Sequence, residues 1–131
     1  MKLLLDTHTL IWAKEDPSSL GKKAMALLGE SLQHEILVSS ISLWEIAKLH
    51  EKKRIQFSTP VLDWLELALA SPRLRVIEMS AKIAVASASL PGSFHGDPAD
   101  QIMVATARLE GATILTKDRQ ILDYHYVQSA W

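Results

Sequence analysis

Asp97-Pro98-Ala99-Asp100-Gln101-Ile102-Met103-Val104-Ala105-Thr106-Ala107-Arg108-Leu109-Glu110-Gly111-Ala112-Thr113-Ile114-Leu115-Thr116-Lys117-Asp118 is the stretch that decides how this chain folds. Asp97 ahead of Pro98 is a helix start: the carboxylate can accept from an unpaired N–H of the first turn, and proline suits the first helical position. The helix runs to about Glu110, and Gly111 stops it. Thr113–Thr116 then reads as a strand, followed at once by Lys117-Asp118-Arg119. A helix that feeds a short buried strand is the repeating unit of an α/β layer fold.

The same grammar extends through the chain. Lys2–Leu5 is an apolar run that predicts a strand ending at Asp6, with Thr7–Lys14 helical up to the disfavoured position before Pro17. Ser18 or Ser19 can cap a second helix carrying Leu20, Ala24, Leu27 and Leu28 at helical spacing. Ile36–Val38 predicts another strand. Ser42-Leu43-Trp44-Glu45 matches a capping box and opens a helix that fades near Arg54. Thr59-Pro60 repeats the start signal, ahead of the stripe Val61, Trp64, Leu65 and Ala68. Arg75–Met79 predicts a third strand, Ser80–Ser89 a helix of small residues, and His125–Val127 a short last strand. The expected architecture is α/β: a mainly parallel central sheet of about 4–5 strands between helical layers, in one domain spanning 1–131.

Composition narrows the function. A chain of 131 residues with 48% hydrophobic and 22% charged residues can build a core without staples. The absence of cysteine removes disulfides and thiolate chemistry and suits a cytoplasmic setting. Asp6 interrupts the N-terminal apolar run too early for a secretory signal, and Asp63 and Glu66 break the next apolar stretch, so no membrane role is expected. The net charge of −1 excludes a polycation, leaving Lys48–Arg54 as the local basic patch for any nucleic-acid contact. There is no G-x-G-x-x-G, Walker A loop or H-E-x-x-H. His8 and His95 lie near motif acids but read as surface or hydrogen-bonded residues.

Four acids stand at equivalent places. Asp6 and Asp118 follow strands, and Glu45 and Asp100 lie about three residues into helices. In open α/β sheets those positions share one edge, where ligands bind. Carboxylates about 4 Å apart repel by roughly 4 kcal/mol at an effective dielectric of 20, so a cluster calls for a proton or a hard cation such as Mg²⁺, Mn²⁺ or Ca²⁺. Each acid also has a purely structural reading: Glu45 closing the capping box with Ser42, Asp100 in a first turn that suits the helix dipole, and Asp6 and Asp118, like Asp97, as helix caps.

Taken together, Leu3-Leu4-Leu5-Asp6-Thr7, Ser40-Ile41-Ser42-Leu43-Trp44-Glu45, His95-Gly96-Asp97-Pro98-Ala99-Asp100 with the helix after it, and Leu115-Thr116-Lys117-Asp118 resemble the four motifs of PIN-domain ribonucleases. The likeness is specifically to VapC-type toxins of bacterial toxin–antitoxin modules, and it covers nearly the whole chain. It implies a PIN-like three-layer fold and hydrolysis of RNA phosphodiesters with Mg²⁺ or Mn²⁺. Asp6, Glu45, Asp100 and Asp118 would be the metal-site acids, Thr116 an orienting residue, and Asp97 a cap or neighbour of the site. Lys52, Lys53 and Arg54 are expected to steer RNA. The implied partners are an RNA substrate, a cognate antitoxin and a second copy of the chain. Trp12, Trp44 and Trp64 are candidates to line the antitoxin groove, against a plain core role. His8, where many relatives carry Asn, and Gln101, where the similar D-P-x-D subgroup often has Arg, depart from the commonest pattern and bear on substrate detail. The competing functions are a receiver-type phosphoacceptor and a non-catalytic interaction module with the same fold.

Overall fold

The computed structural model describes residues 1–94 and 96–131. Among these residues five strands form one sheet in the order β3-β2-β1-β4-β5, and every pairing is parallel. They are β1 (Lys2–Leu5), β2 (Glu35–Ser39), β3 (Leu74–Ile77), β4 (Thr113–Leu115) and β5 (Gln128–Ala130). The helices are α1 (Thr7–Glu15), α2 (Lys22–Gly29), α3 (Ser40–Glu51), α4 (Val61–Ala68), α5 (Ala81–Ser87), α6 (Pro98–Glu110) and α7 (Arg119–Leu122). Among the described residues no helix is long and apolar enough to cross a membrane.

Strand alternation sorts the core into two layers. Leu4, Leu37 and Ile114 point to one side and pack with Ile83, Met103, Val104 and Ile121 from α5, α6 and α7. Leu3, Leu5, Ile36, Val38 and Leu115 point to the other, onto Leu10, Ala24, Ile46 and Trp64 from α1 to α4. With both faces covered, β1 reads as an unbroken apolar run, as a central parallel strand must. From β1 the chain winds outward through β2 to β3. It then crosses back to β4 and winds outward the other way to β5. The C-terminal ends of β1 and β4 therefore flank a topological switch point, where side chains can converge without a strand between them. This order differs from the 2-1-3-4-5 order of flavodoxin-like receiver sheets, which removes the phosphoacceptor reading.

Several local expectations shift. The Ser42–Glu45 capping box is not formed. α3 starts three residues earlier, with Ser39 as N-cap accepting from Ile41 N, because strand β2 runs directly into the helix with no intervening loop. Ser18 and Ser19 do not cap α2; their hydroxyls turn back onto Asp16 in a 3₁₀ turn over Pro17–Ser19, and Gly21 holds the N-cap of α2. Pro60 is the N-cap residue of α4 instead of its first helical residue. The last strand lies at Gln128–Ala130 instead of His125–Val127, since its register is set by pairing Thr113 with Gln128. Asp97 caps α6 as expected, accepting from Asp100 N at 2.9 Å, and Gly111 ends that helix in the left-handed region.

Gly29 and Gly111 separate conformation from space. A β-carbon at either position would meet nothing within 4 Å, but only Gly111 has positive φ (+65°). Gly29→Ala is expected to stabilise by about 0.5–1 kcal/mol, and Gly111→Ala to destabilise by about 1 kcal/mol. Urea denaturation of the two variants checks the opposite signs.

Candidate functional site

Asp6 is the anchor. It follows β1, is 4% exposed, and its N–H continues the ladder by donating to the Leu115 carbonyl at 3.1 Å. Its carboxylate accepts from Thr7 N at 2.7 Å on one oxygen and from Thr116 Oγ1 at 2.6 Å on the other. Thr116 is fully buried and also accepts from Asp118 N at 3.0 Å. One hydroxyl thus ties the acid after β1 to the backbone of the acid after β4. Asp118 in turn caps α7 through Gln120 N at 2.8 Å.

The second arm starts at Thr7. Its Oγ1 donates to Glu45 Oε1 at 2.5 Å and lies 2.9 Å from Ser42 Oγ. Glu45 therefore faces α1 instead of its own helix start, and Ser42 is a fully buried residue beneath it, 3.8 Å from the Met103 sulfur. Burial raises the Glu45 carboxyl above its ordinary range, the Thr7 hydrogen bond opposes that, and the charges of Asp6 and Asp97 add to it.

Asp100 reports the convergence. Desolvation comes first, then the charges of Asp97, Asp6, Asp118 and Glu45, and together they push its carboxyl up to about 7. All five acids named from the sequence thus share one electrostatic field. Asp97 belongs to it while also serving as a cap. Among the described residues, however, no three carboxylate or imidazole groups close around a single point as a ready coordination shell. Asp6, Glu45, Asp97 and Asp118 each accept from a nearby hydroxyl or backbone N–H, while burial and the charges of these four raise the proton affinity of Asp100.

Residues 3–125 match the PIN domain family. The chain belongs to that family. Ribonuclease VapC22 of Mycobacterium tuberculosis is 35% identical over 126 residues, covering 95% of this chain and 92% of that protein. The fold is similar to that in the crystal structure of VapBC2 from Rickettsia felis bound to a DNA fragment from their promoter, with 20% identity, a TM-score of 0.72, and 99% and 98% of the two chains covered. It is also similar to a toxin–antitoxin complex from Klebsiella pneumoniae, with 21% identity, a TM-score of 0.67, and 95% and 94% covered.

Within this PIN domain the other expected residues separate. His8 is hydrogen-bonded: its Nε2 accepts from Lys117 N at 3.2 Å, and its Nδ1 lies 3.7 Å from Asp6 Oδ2. His95, which opens the third motif, lies outside the described residues. Trp64 is a core residue, stacked on Phe57 at 4.3 Å with its indole N–H on Glu15. Trp12 packs with His8 and Trp131 at 5.0 and 5.8 Å. Trp44 alone of the three is exposed, so the tryptophans do not form one surface. Lys52 and Arg54 line a groove of about 390 Å³ with Glu45 and Asp97, and Lys53 is not among its lining residues. Thr7 and Ser42 were not legible as site residues. Their only signal is adjacency to Asp6 and the one-turn spacing from Glu45.

Because Asp100 holds its proton more tightly when folded than at its ordinary value of 3.8, its contribution to stability is full below about pH 4. It is lost as pH rises through about 7. The full shift would be worth about 4 kcal/mol, and solvent screening of this half-exposed carboxyl reduces that to about 1–2 kcal/mol. In EDTA, the protein is expected to lose that much more stability between pH 4 and 8 than Asp100→Asn. Parallel urea melts across the range measure the difference, and identical slopes would contradict it.

Proposed function

We propose that this PIN domain is a VapC-type ribonuclease that hydrolyses RNA phosphodiester bonds with Mg²⁺ or Mn²⁺, acting as the toxin of a cytoplasmic toxin–antitoxin pair. The observation that carries the reading is the convergence of Asp6, Glu45, Asp97 and Asp118 on Asp100, whose carboxyl is pushed up to about 7 first by burial and then by their charges. The 35% identity to a ribonuclease supports it. The donor set suits the ion, since hard divalent cations take carboxylate oxygens and retain open positions for phosphate.

Asp6, Asp100 and Asp118, with Glu45, are the residues that would hold the cation. When bound, it supplies positive charge that offsets the charge developing on the phosphate and lowers the pKa of water. The chain's own contribution is placement. Thr7 N and Thr116 Oγ1 fix both oxygens of Asp6, and the Thr7 hydroxyl holds Glu45 on the same side. Asp97 spends one oxygen on the cap of α6, which fixes Asp100 one turn later. Asp100 is shifted first by burial and then by the charges of the other four acids, so its ionisation responds to positive charge reaching the site. Lys52 and Arg54, in the groove beside Glu45 and Asp97, would draw the polyanion toward a cleft that would otherwise repel it. Lys53 adds charge near the groove.

This reading implies two protein partners, a cognate antitoxin and a second copy of the chain. The similarity to the Klebsiella toxin–antitoxin complex supports the first. Leu62, Leu67 and Val85 are exposed apolar side chains available to such contacts.

Antitoxin-free protein incubated with total RNA is expected to give discrete fragments with Mg²⁺ or Mn²⁺ and none with EDTA, and Asp100→Asn to give none. Equal cleavage by the variant would remove the assignment. Thr116→Val keeps the shape but not the hydroxyl, and is expected to lower activity or metal affinity by about 10–100-fold, the usual cost of an outer-shell partner. Calorimetric Mn²⁺ titration and cleavage rates together check this value.

A further inference from the structure

The groove beside the acids has a lining that acid chemistry does not require. Trp44, Lys48, Lys52 and Arg54 line it along with Glu45 and Asp97. Trp44 is 57% exposed, although indole rings are usually highly buried. Among the described residues no aromatic ring packs on it, and the Lys48 ammonium lies over it, 5.8 Å from the ring centre. Lys48 also makes a 3.2 Å surface pair with Glu51, which is worth little in solvent. Trp44, Lys48 and Lys52 are spaced one turn apart, so they form one stripe along α3. At its end the Lys53 N–H bonds the His50 carbonyl and the Arg54 N–H bonds the Leu49 carbonyl, with Lys53 in the left-handed region. That turn brings Arg54 back to the groove and leaves Lys53 outside its lining.

We propose that Trp44 is a stacking platform for a base of single-stranded RNA, with Lys48, Lys52 and Arg54 taking the flanking phosphates. The inference rests on the ribonuclease reading and assigns its substrate-binding subsite. An open aromatic face bordered by cations is the arrangement that holds single strands, because every base has a face to stack and every linkage a charge to neutralise. A duplex keeps its bases stacked inside and cannot offer one to the ring. A protein partner would bury the indole in a desolvated, well-packed pocket, whereas the neighbours here are mostly charged. Glu45 lines the same groove as Trp44, so a base on the ring sets the position of the next phosphate relative to the acids.

The test measures binding of fluorescein-labelled oligouridylate in EDTA, with the same strand annealed to oligoadenylate as the duplex control. Cleavage with Mg²⁺ is followed in parallel. Trp44→Ala, at an exposed site, is expected to keep its melting temperature and weaken single-strand binding about tenfold or more. Trp44→Phe is expected to recover most of the affinity. Lys52→Gln and Arg54→Gln are each expected to make the salt dependence shallower by about 0.7 in log–log slope, while Trp44→Ala leaves that slope unchanged. Unaltered binding by Trp44→Ala, an equal loss in Trp44→Phe, or the same dependence on Trp44 for the duplex would each overturn the assignment. So would loss of a protein partner in Trp44→Ala with oligouridylate binding intact. Trp44-dependent binding by a protein that cuts no RNA would uphold this inference and fail the nuclease reading. Metal-dependent cleavage with binding indifferent to Trp44 would do the reverse.

Discussion

The structure depends on satisfying both oxygens of one buried carboxyl group. Asp6 sits at the end of the central strand, 4% exposed, where an unpaired charge would cost several kcal/mol. Thr7 N and the Thr116 hydroxyl supply the hydrogen bonds that make burial tolerable. Thr116 can reach it only because β4 lies beside β1 in parallel register, Leu5 opposite Leu115. A slip of one residue would turn Thr116 to the opposite face and leave Asp6 without its second donor. Sheet register and site geometry are therefore the same constraint.

From that anchor the other acids follow by short links. Thr116 joins Asp6 to Asp118, Thr7 joins α1 to Glu45, and Asp97 sets the first turn of the helix that carries Asp100. Two threonine hydroxyls and two helix caps do the positioning, and among the described residues no arginine or lysine forms an ion pair with these acids. Asp100 is raised in proton affinity first by its burial and then by the charges of Asp97, Asp6, Asp118 and Glu45. Mutual repulsion among acids costs stability, so their gathering at a switch-point crevice is itself a sign of function.

The basic stripe on α3 balances that field without quenching it. Lys48, Lys52 and Arg54 lie along the groove that Glu45 and Asp97 also line, so attraction for a polyanion and repulsion from it adjoin. The overall net charge of −1 hides this separation. What matters to a nucleic acid is the local sign within a Debye length of about 8–10 Å.

The sequence by itself determined the layer order, the four acidic motifs and most strand positions, because apolar runs, caps and Gly111 act through local contacts within a turn or a strand. Asp97 and Asp118 could be read as caps, and are caps. The same local logic misled at Ser42 and Glu45. A capping box and a buried polar pair under a second helix have identical spacing, and only the packing of α1 against α3 chooses between them. Tertiary structure alone decided that Thr7 holds Glu45, and that Trp64 is core while Trp44 is exposed. It alone decided that Arg54 and not Lys53 lines the groove. These are facts about which faces meet. A sequence records the periodicity of a face, but the partner on it comes from residues dozens of positions away.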